Sequence, residues 1–217
     1  MTDECKLLEG IFAYFIQGLL ALLALSTLLI KRYKEFPKRS WTIWMMDVSK
    51  QGISSVCIHF FAIIIALLMS TYTNDTNECA WYFLIFIIDT ILGTLISYGL
   101  LIFTTKIAIK YKITSLEKSG EYSIPPSKLI WIKQLSVWCC IVLVARGISV
   151  FIIWCLRQPL GVFANLIANP FENKPQLFLG LVMVLCPFII NLIQMWIQDS
   201  FLKKKIIISP IIFDIDS

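Results

Sequence analysis

The residues of this chain that could take part in chemistry are ionisable and amide residues in the middle of an apolar segment. Residues 41–70 carry Asp47, Lys50, Gln51 and His59 among long apolar side chains. At helical spacing these four fall on one broad stripe, and the opposite face is apolar. A charge inside a membrane helix costs about 2.5–3.5 kcal/mol on insertion scales, so such residues usually face a protein interior. The stripe is therefore the first candidate for a functional site.

Two further charges lie inside apolar segments. Asp89 is about eight residues into the third apolar run, and Arg146 is deep in the fourth. With a rise of about 1.5 Å per residue, the two lie at similar depths in antiparallel neighbouring helices, which predicts an Asp89–Arg146 ion pair that His59 could join. Asn191 is expected to hydrogen-bond between helices. These groups either hold helices together, at roughly 0.6 kcal/mol each, or line a path for a ligand or ion.

Asp47 and Lys50 are open to two interpretations. They stand three positions apart near the start of their helix. They could form a local pair in which Lys50 extends to the membrane interface, because long cationic side chains keep their charge in water. They could instead belong to a functional polar site together with Gln51.

The elements that must position these residues are membrane-spanning helices. The chain is 58% hydrophobic and 15% charged, outside the range of ordinary soluble domains. Because about 20 apolar residues cross a bilayer, the sequence predicts an all-α polytopic membrane protein with five transmembrane helices. We expect one bundle over residues 1–205 and a short cytoplasmic tail over residues 206–217. The five runs are Gly10–Ile30, Lys50–Ser70, Trp81–Thr105, Ile130–Leu156 and Gln176–Ile197.

The basic residues predict the orientation of the bundle. Most of them lie in residues 31–40, 106–133 and 203–205, all on one side of the predicted spans. Cytoplasmic loops keep an excess of Lys and Arg, so the N-terminus is expected in the lumen and the C-terminus in the cytoplasm. The net charge of +5 is explained by these loops and by contact with lipid head groups, and predicts no nucleic-acid partner.

Several features concern the loops. Cys5 and Cys79 fall on the predicted lumenal side, where they could form a disulfide or remain free thiols. Asn74 begins an Asn-Asp-Thr glycosylation sequon on the same side. Residues 157–175 are expected to form a lumenal loop whose turn-rich stretch, Asn169–Asn173, could cap the bundle. Pro187 should kink the last helix.

The sequence carries no pattern for catalysis or for a cofactor. It has a single His, no CxxC pair, no GxSxG or HExxH, and no glycine-rich phosphate loop. We therefore predict no catalytic residues, no metal site, no cofactor and no enzyme activity.

The positions of polar residues within the apolar runs resemble those of the STIMATE family. The strongest block is Trp41-x-Ile43-Trp44, Asp47-x-Ser49-Lys50-Gln51 and Ile58-His59-Phe60. The resemblance continues through Cys79, Asp89, Gly93, Gly120-Glu121-Tyr122, Asn169-Pro170, Pro187-Phe188, Asn191 and Asp199.

This resemblance implies a regulator. The family comprises multi-spanning proteins of the endoplasmic reticulum that promote store-operated calcium entry, with fungal relatives described as vacuolar membrane proteins. The expected partner is another integral membrane protein, a channel or a calcium sensor. Animal members carry a long charged cytosolic tail, and residues 206–217 do not resemble it. The expected membrane is that of the endoplasmic reticulum, with the vacuolar and plasma membranes as alternatives.

A second hypothesis gives the polar stripe a direct task. A small transporter or lipid-binding protein would use Asp47, Lys50, Gln51, His59, Asp89 and Arg146 around a hydrated cavity or a lipid head group. A purely structural scaffold is the third interpretation.

Overall fold

The computed structural model describes residues 11–69, 78–171 and 180–203, together with Phe178. Within these residues the regular structure is entirely helical. The α-helices are α1 (Ile11–Lys34), α2 (Trp41–Met69), α3 (Glu78–Lys110), α4 (Lys128–Cys155), α5 (Arg157–Ala168) and α6 (Cys186–Leu202). The prediction of an all-α fold is therefore confirmed for the described part of the chain.

Two of the described connections, between α1 and α2 and between α3 and α4, meet at one end of the bundle. Helix α4 lies against both α2 and α3, while α1 packs mainly on α6. The end of α1, the start of α2, the loop between α3 and α4 and the end of α6 come together, and this region is called the basic end below. The short helix α5 folds back onto α3 at the opposite end.

Charged side chains are buried inside the bundle, and many long apolar side chains lie on its surface. Asp47, Lys50, Gln51 and Asp199 are among the largest fully buried side chains, whereas long apolar residues such as Leu95 and Phe151 are exposed. Within the described residues, Phe83–Lys110 and Lys128–Cys155 are long and apolar enough to cross a membrane. An apolar exterior around a polar interior is what a lipid environment favours.

Prolines and a left-handed residue set the boundaries at the basic end. Helix α1 ends shortly before Pro37, and α4 begins after Pro125 and Pro126, because the residue before a proline is biased to extended backbone. Ser127, which precedes α4, has φ −93° and ψ 122°. Gly120, with φ 77°, turns the loop between α3 and α4 back toward the bundle.

Residues 157–175 differ from the expected turn-rich loop, since their first part is helix α5. Pro159 lies in the first turn of that helix, where a missing backbone N–H costs little. Ala164 of α5 is fully buried and packs with Phe178 and Val182. Tertiary packing of this short apolar segment therefore stabilises a helix although its proline and glycine have low helix propensity.

The expected irregularity at Pro187 takes the form of a π-helical turn. Residues Leu181–Leu185 form this wider turn directly before α6, with Pro187 at the start of the α-helix. A proline ring clashes with the carbonyl one turn earlier in an α-helix, and the wider turn relieves that clash.

Some predictions concern residues outside the described part of the chain. These are Cys5, the Asn74 sequon and the tail over residues 206–217. Cys79 lies in the first turn of α3, but its side chain is not among those that the structure describes. The Cys5–Cys79 disulfide therefore stays a prediction.

Candidate functional site: a buried ionic cluster

Arg39 lies at the centre of the basic end and contacts three carboxylates. Its Nε donates to Glu35 Oε2 at 2.8 Å, and its Nη1 donates to Asp47 Oδ2 at 2.9 Å. Its Nη1 and Nη2 also reach Asp199, with N–O distances of 3.1, 3.2 and 3.1 Å. The planar guanidinium fork suits this geometry because its N–H groups can engage several oxygens at once. One side chain therefore connects the ends of α1 and α6 to the start of α2.

Two lysines complete the pairing around Arg39. Lys31 Nζ lies 2.9 Å from Asp199 Oδ2 and also donates to the carbonyl of Trp196 at 2.6 Å. Lys203 Nζ lies 2.6 Å from Glu35 Oε1. Asp199 is fully buried, and its charge is balanced by two cations, Arg39 and Lys31. Since an unpaired buried charge is costly, this sharing is what permits the carboxylate to be there.

Asp47 joins the loop between α3 and α4 to the same group of charges. The Tyr122 hydroxyl donates to Asp47 Oδ1 at 2.5 Å, opposite the oxygen that Arg39 contacts. Lys50 Nζ lies 3.5 Å from Asp47 Oδ1 and 5.1 Å from the centre of the Tyr122 ring. Each side chain of this trio is buried.

Gln134 of α4 organises the loop that carries Tyr122. Its Oε1 accepts from Lys50 Nζ at 3.2 Å and from the Gly120 backbone N–H at 3.1 Å. Its Nε2, with two N–H groups, lies within hydrogen-bonding distance of the carbonyls of Ser115, Lys118 and Glu121, at 3.2, 3.2 and 3.1 Å. A single buried amide thus contacts several backbone groups of the loop.

The Arg39 cluster is defined here as Lys31, Glu35, Arg39, Asp47, Lys50, Tyr122, Gln134, Asp199 and Lys203. Its carboxylates raise the pKa of Arg39 above the ordinary value, although burial opposes them. Burial, together with the Asp47 carboxylate, raises the pKa of Tyr122. Arg39 therefore remains a cation and Tyr122 a neutral donor at neutral pH.

The space next to the cluster is small. A cavity of ≈ 20 Å³ is lined by residues that include Ser119, Gln134 and Trp138. That volume holds about one water molecule. Gln51 lies fully buried nearby in sequence, and neither atom of its side-chain amide has a hydrogen-bond partner in the described structure.

A second polar group lies between α3 and α4. Arg146 Nη1 pairs with Asp89 Oδ2, as the matching depths predict. Asp89 Oδ1 and the Oγ of fully buried Ser149 are without hydrogen-bond partners among the described residues. A Cβ built on Gly93 would lie 3.7 Å from Ser149 Oγ and 3.9 Å from Asp89 Oδ1. The missing side chain therefore keeps open a small polar gap between the two helices.

The residues of the predicted polar stripe do not share one environment: Asp47, Lys50 and Gln51 are buried, whereas His59 is exposed. His59 is exposed on α2, and no described contact joins it to Asp89 or Arg146. Asn191 is half-buried on α6, and no described contact joins it to either group. The local Asp47–Lys50 pair is present at 3.5 Å, but Lys50 does not extend to the interface, because its side chain is completely buried and bonded to Gln134. The rotation of α2 that packing selects buries Asp47 and Lys50 and turns His59 outward.

Sequence reasoning missed the members of the cluster that lie outside apolar runs. Arg39 and Lys31 were interpreted as ordinary basic loop residues, and Asp199 entered only through the resemblance to the STIMATE family. The available signal was the Gly120-Glu121-Tyr122 block, whose glycine and tyrosine both contact the cluster. A buried glutamine such as Gln134 near the start of an apolar helix was a second signal.

A helical bundle with an apolar exterior and a charged, internally paired interior defines a helical membrane protein. The chain belongs to the STIMATE family, as the resemblance predicts. The family model matches residues 79–204. A vacuolar membrane protein of Saccharomyces cerevisiae is 30% identical over 226 residues, which cover 93% of this chain and 80% of the yeast protein. No solved structure matches the chain.

Proposed function

We propose that this chain is a non-catalytic regulatory protein that binds another integral membrane protein through its helices and modulates store-operated calcium entry. The observation that carries the proposal is the internal pairing of the Arg39 cluster. Glu35, Asp47 and Asp199 each have a cationic partner, and the adjoining cavity of ≈ 20 Å³ has no room for a substrate larger than water. The charges thus stabilise one arrangement of the helices.

The proposed surface for the partner is the apolar exterior of α3 and α4. Ile91 and Leu95 on α3 are 53% and 62% exposed, and Val144 and Phe151 on α4 are 52% and 61% exposed. Helices associate within a membrane by close packing of such faces. A bundle that the Arg39 cluster holds rigid presents these faces in a constant geometry, as a regulatory partner requires.

The proposed topology has five helices that cross the membrane, with the N-terminus in the lumen and the basic end in the cytoplasm. It is supported by the excess of Lys and Arg at that end. The endoplasmic reticulum is the proposed location, with the vacuolar membrane as the alternative that the yeast relative favours.

Purification in a mild detergent, with stoichiometry read by mass spectrometry, tests the proposal. A channel or calcium sensor present in stoichiometric amount supports it, and a lone monomer or homo-oligomer carrying lipid contradicts it. Tryptophan substitutions at Ile91, Leu95, Val144 and Phe151, made one at a time, then locate the contact. Substitutions on the partner-facing side reduce co-purification, whereas those facing lipid serve as matched controls. Cytosolic calcium after store depletion, measured with and without the chain, tests the calcium role separately.

One observation favours a transporter or lipid-binding function as the second candidate. The unpartnered oxygens of Asp89 and Ser149 face a gap that Gly93 leaves open. A ligand with hydrogen-bond donors would satisfy both. Lipid or solute retained by wild-type protein and lost from the Ser149→Ala variant, with an unchanged melting temperature, would favour this candidate.

A further inference from the structure

Two loops at the basic end each present one apolar side chain that is almost completely exposed. Phe36, between α1 and α2, is 97% exposed, and Ile124, between α3 and α4, is 98% exposed. Neither side chain contributes to the packing of the bundle. Exposed large apolar residues on loops indicate contact with a membrane or a partner when they occur together.

The two loops are held together at one carboxylate. Arg39 follows Phe36 by three residues and contacts Asp47 Oδ2 at 2.9 Å. Tyr122 precedes Ile124 by two residues and contacts Asp47 Oδ1 at 2.5 Å. With at most about 3.6 Å of chain per residue, Phe36 and Ile124 are therefore confined to the same end of the bundle, close to this anchor.

The backbone directs Ile124 outward at an energetic cost. Ser123 has φ 73°, in the left-handed region that residues other than glycine rarely adopt. It separates Tyr122, which is 1% exposed, from Ile124. The chain therefore reverses within two residues, and one side chain anchors the loop while the next is displayed.

The surroundings of the two apolar side chains are cationic. Exposed lysines flank both loops, and within the described residues Lys34, Lys38, Lys112 and Lys128 have no acidic partner. The same loops carry fewer acidic side chains that could offset these lysines: Glu35 is bonded to Arg39 and Glu121 lies 3.6 Å from Lys118, whereas Glu117 has no ion pair among the described residues. Exposed Tyr33 and Trp41 add aromatic rings of the kind found at membrane interfaces.

We propose that these two loops form a membrane-anchoring patch, in which Phe36 and Ile124 insert into the head-group layer of an anionic leaflet. The neighbouring lysines contact the lipid phosphates. The leaflet is that of the membrane which the bundle itself crosses, because the same Asp47 anchor lies at the start of an apolar helix. This inference rests on the proposed membrane topology and is independent of the calcium role.

Photo-crosslinking of the full chain in lipid nanodiscs tests the patch. A benzophenone amino acid replaces Phe36 or Ile124 in nanodiscs of phosphatidylcholine with or without phosphatidylserine. Both positions should form lipid adducts enriched at least roughly fivefold in phosphatidylserine, the preference expected from one lysine near an anionic surface. The Lys34→Gln/Lys38→Gln variant should lose much of the enrichment at position 36. Position 144, exposed on α4, is the matched control and should give adducts without head-group preference.

The alternative outcomes are distinguishable. Adducts at position 144 but not at positions 36 and 124 would overturn the patch while leaving the topology in place. The absence of lipid adducts at all three positions would overturn the membrane placement itself. Adducts with lipid from separately added deuterated vesicles would assign the loops to another bilayer and overturn the proposal, as would adducts with a second protein.

Discussion

Arg39 and Asp199, separated by 160 residues in sequence, form a bidentate ion pair at the basic end. The Asp199 side chain is completely buried, and the Arg39 side chain is 11% exposed. This pair ties the loop after α1 to the last helix. Because α1 packs mainly on α6, the pair reinforces the contact that holds α1 in the bundle.

Replacement of Asp199 by Asn should destabilise the bundle strongly. The change leaves Arg39 and Lys31 without one of their acceptors, and loss of one member of a buried ion pair costs about 3–5 kcal/mol. We expect a clear fall in the melting temperature in mild detergent. Lys118→Gln is the control, because Lys118 is 70% exposed in an ion pair of 3.6 Å and such pairs contribute at most about 1 kcal/mol. Equal melting temperatures for the two variants would contradict the importance of the Arg39–Asp199 pair.

Removal of the Tyr122 hydroxyl should loosen the loop between α3 and α4. Tyr122→Phe deletes a hydrogen bond to a buried carboxylate, a loss of about 1.5–3 kcal/mol. Because burial and Asp47 raise the pKa of Tyr122, its contribution is complete below the ordinary tyrosine pKa of about 10 and declines as the pH rises above it. Hydrogen exchange of the loop amides measures the effect. Tyr111→Phe, at a position 68% exposed, should change nothing, and matching exchange rates for both variants would refute the prediction.

A double-mutant cycle should show strong coupling between Asp89 and Arg146. Asp89→Asn and Arg146→Gln each leave a partly buried group without its partner, and we expect the double variant to be less destabilised than the sum of the two. Melting temperatures of the four proteins provide the cycle. Additive effects would mean that the ion pair contributes no coupling energy.

Ser123→Gly should stabilise the protein, because glycine adopts a φ of 73° without the steric cost that serine bears. The expected gain is up to about 1 kcal/mol, after the greater flexibility of glycine in the unfolded chain is subtracted. Thermal unfolding measures it, and Ser136→Gly, at an exposed position within α4, is the control and is expected to destabilise the protein. A loss of stability in Ser123→Gly would show that the left-handed backbone is not strained.

Substitution of His59 should have little effect. The side chain is exposed on α2 and makes no described contact, so His59→Leu is expected to lower the free energy of unfolding by no more than about 0.5 kcal/mol. The retention of partner binding and melting temperature would agree with the structure. A fall in melting temperature as large as that of Asp89→Asn would instead indicate that His59 lies in the polar interior.

Much of the fold follows from local properties of the chain. Long apolar runs predict α1 to α4 and α6 because a helix satisfies its own backbone hydrogen bonds. Helix α5 was missed since its proline and glycine oppose a helix and only the packing of Ala164 favours one. The depth argument placed Asp89 opposite Arg146, because helical rise is constant along both elements.

The sequence by itself determined that this is a helical membrane protein of the STIMATE family and that its apolar helices contain charges. Only the tertiary structure decided which charges meet. Asp47 of α2 is bonded to Arg39 and Tyr122, and Arg39 is bonded in turn to Asp199, which is remote in sequence. Periodicity marks the polar residues of a helix but not the neighbour that each one faces. That choice is made by the free energy of pairing buried charges across the whole bundle, which turned His59 outward and enclosed Lys50.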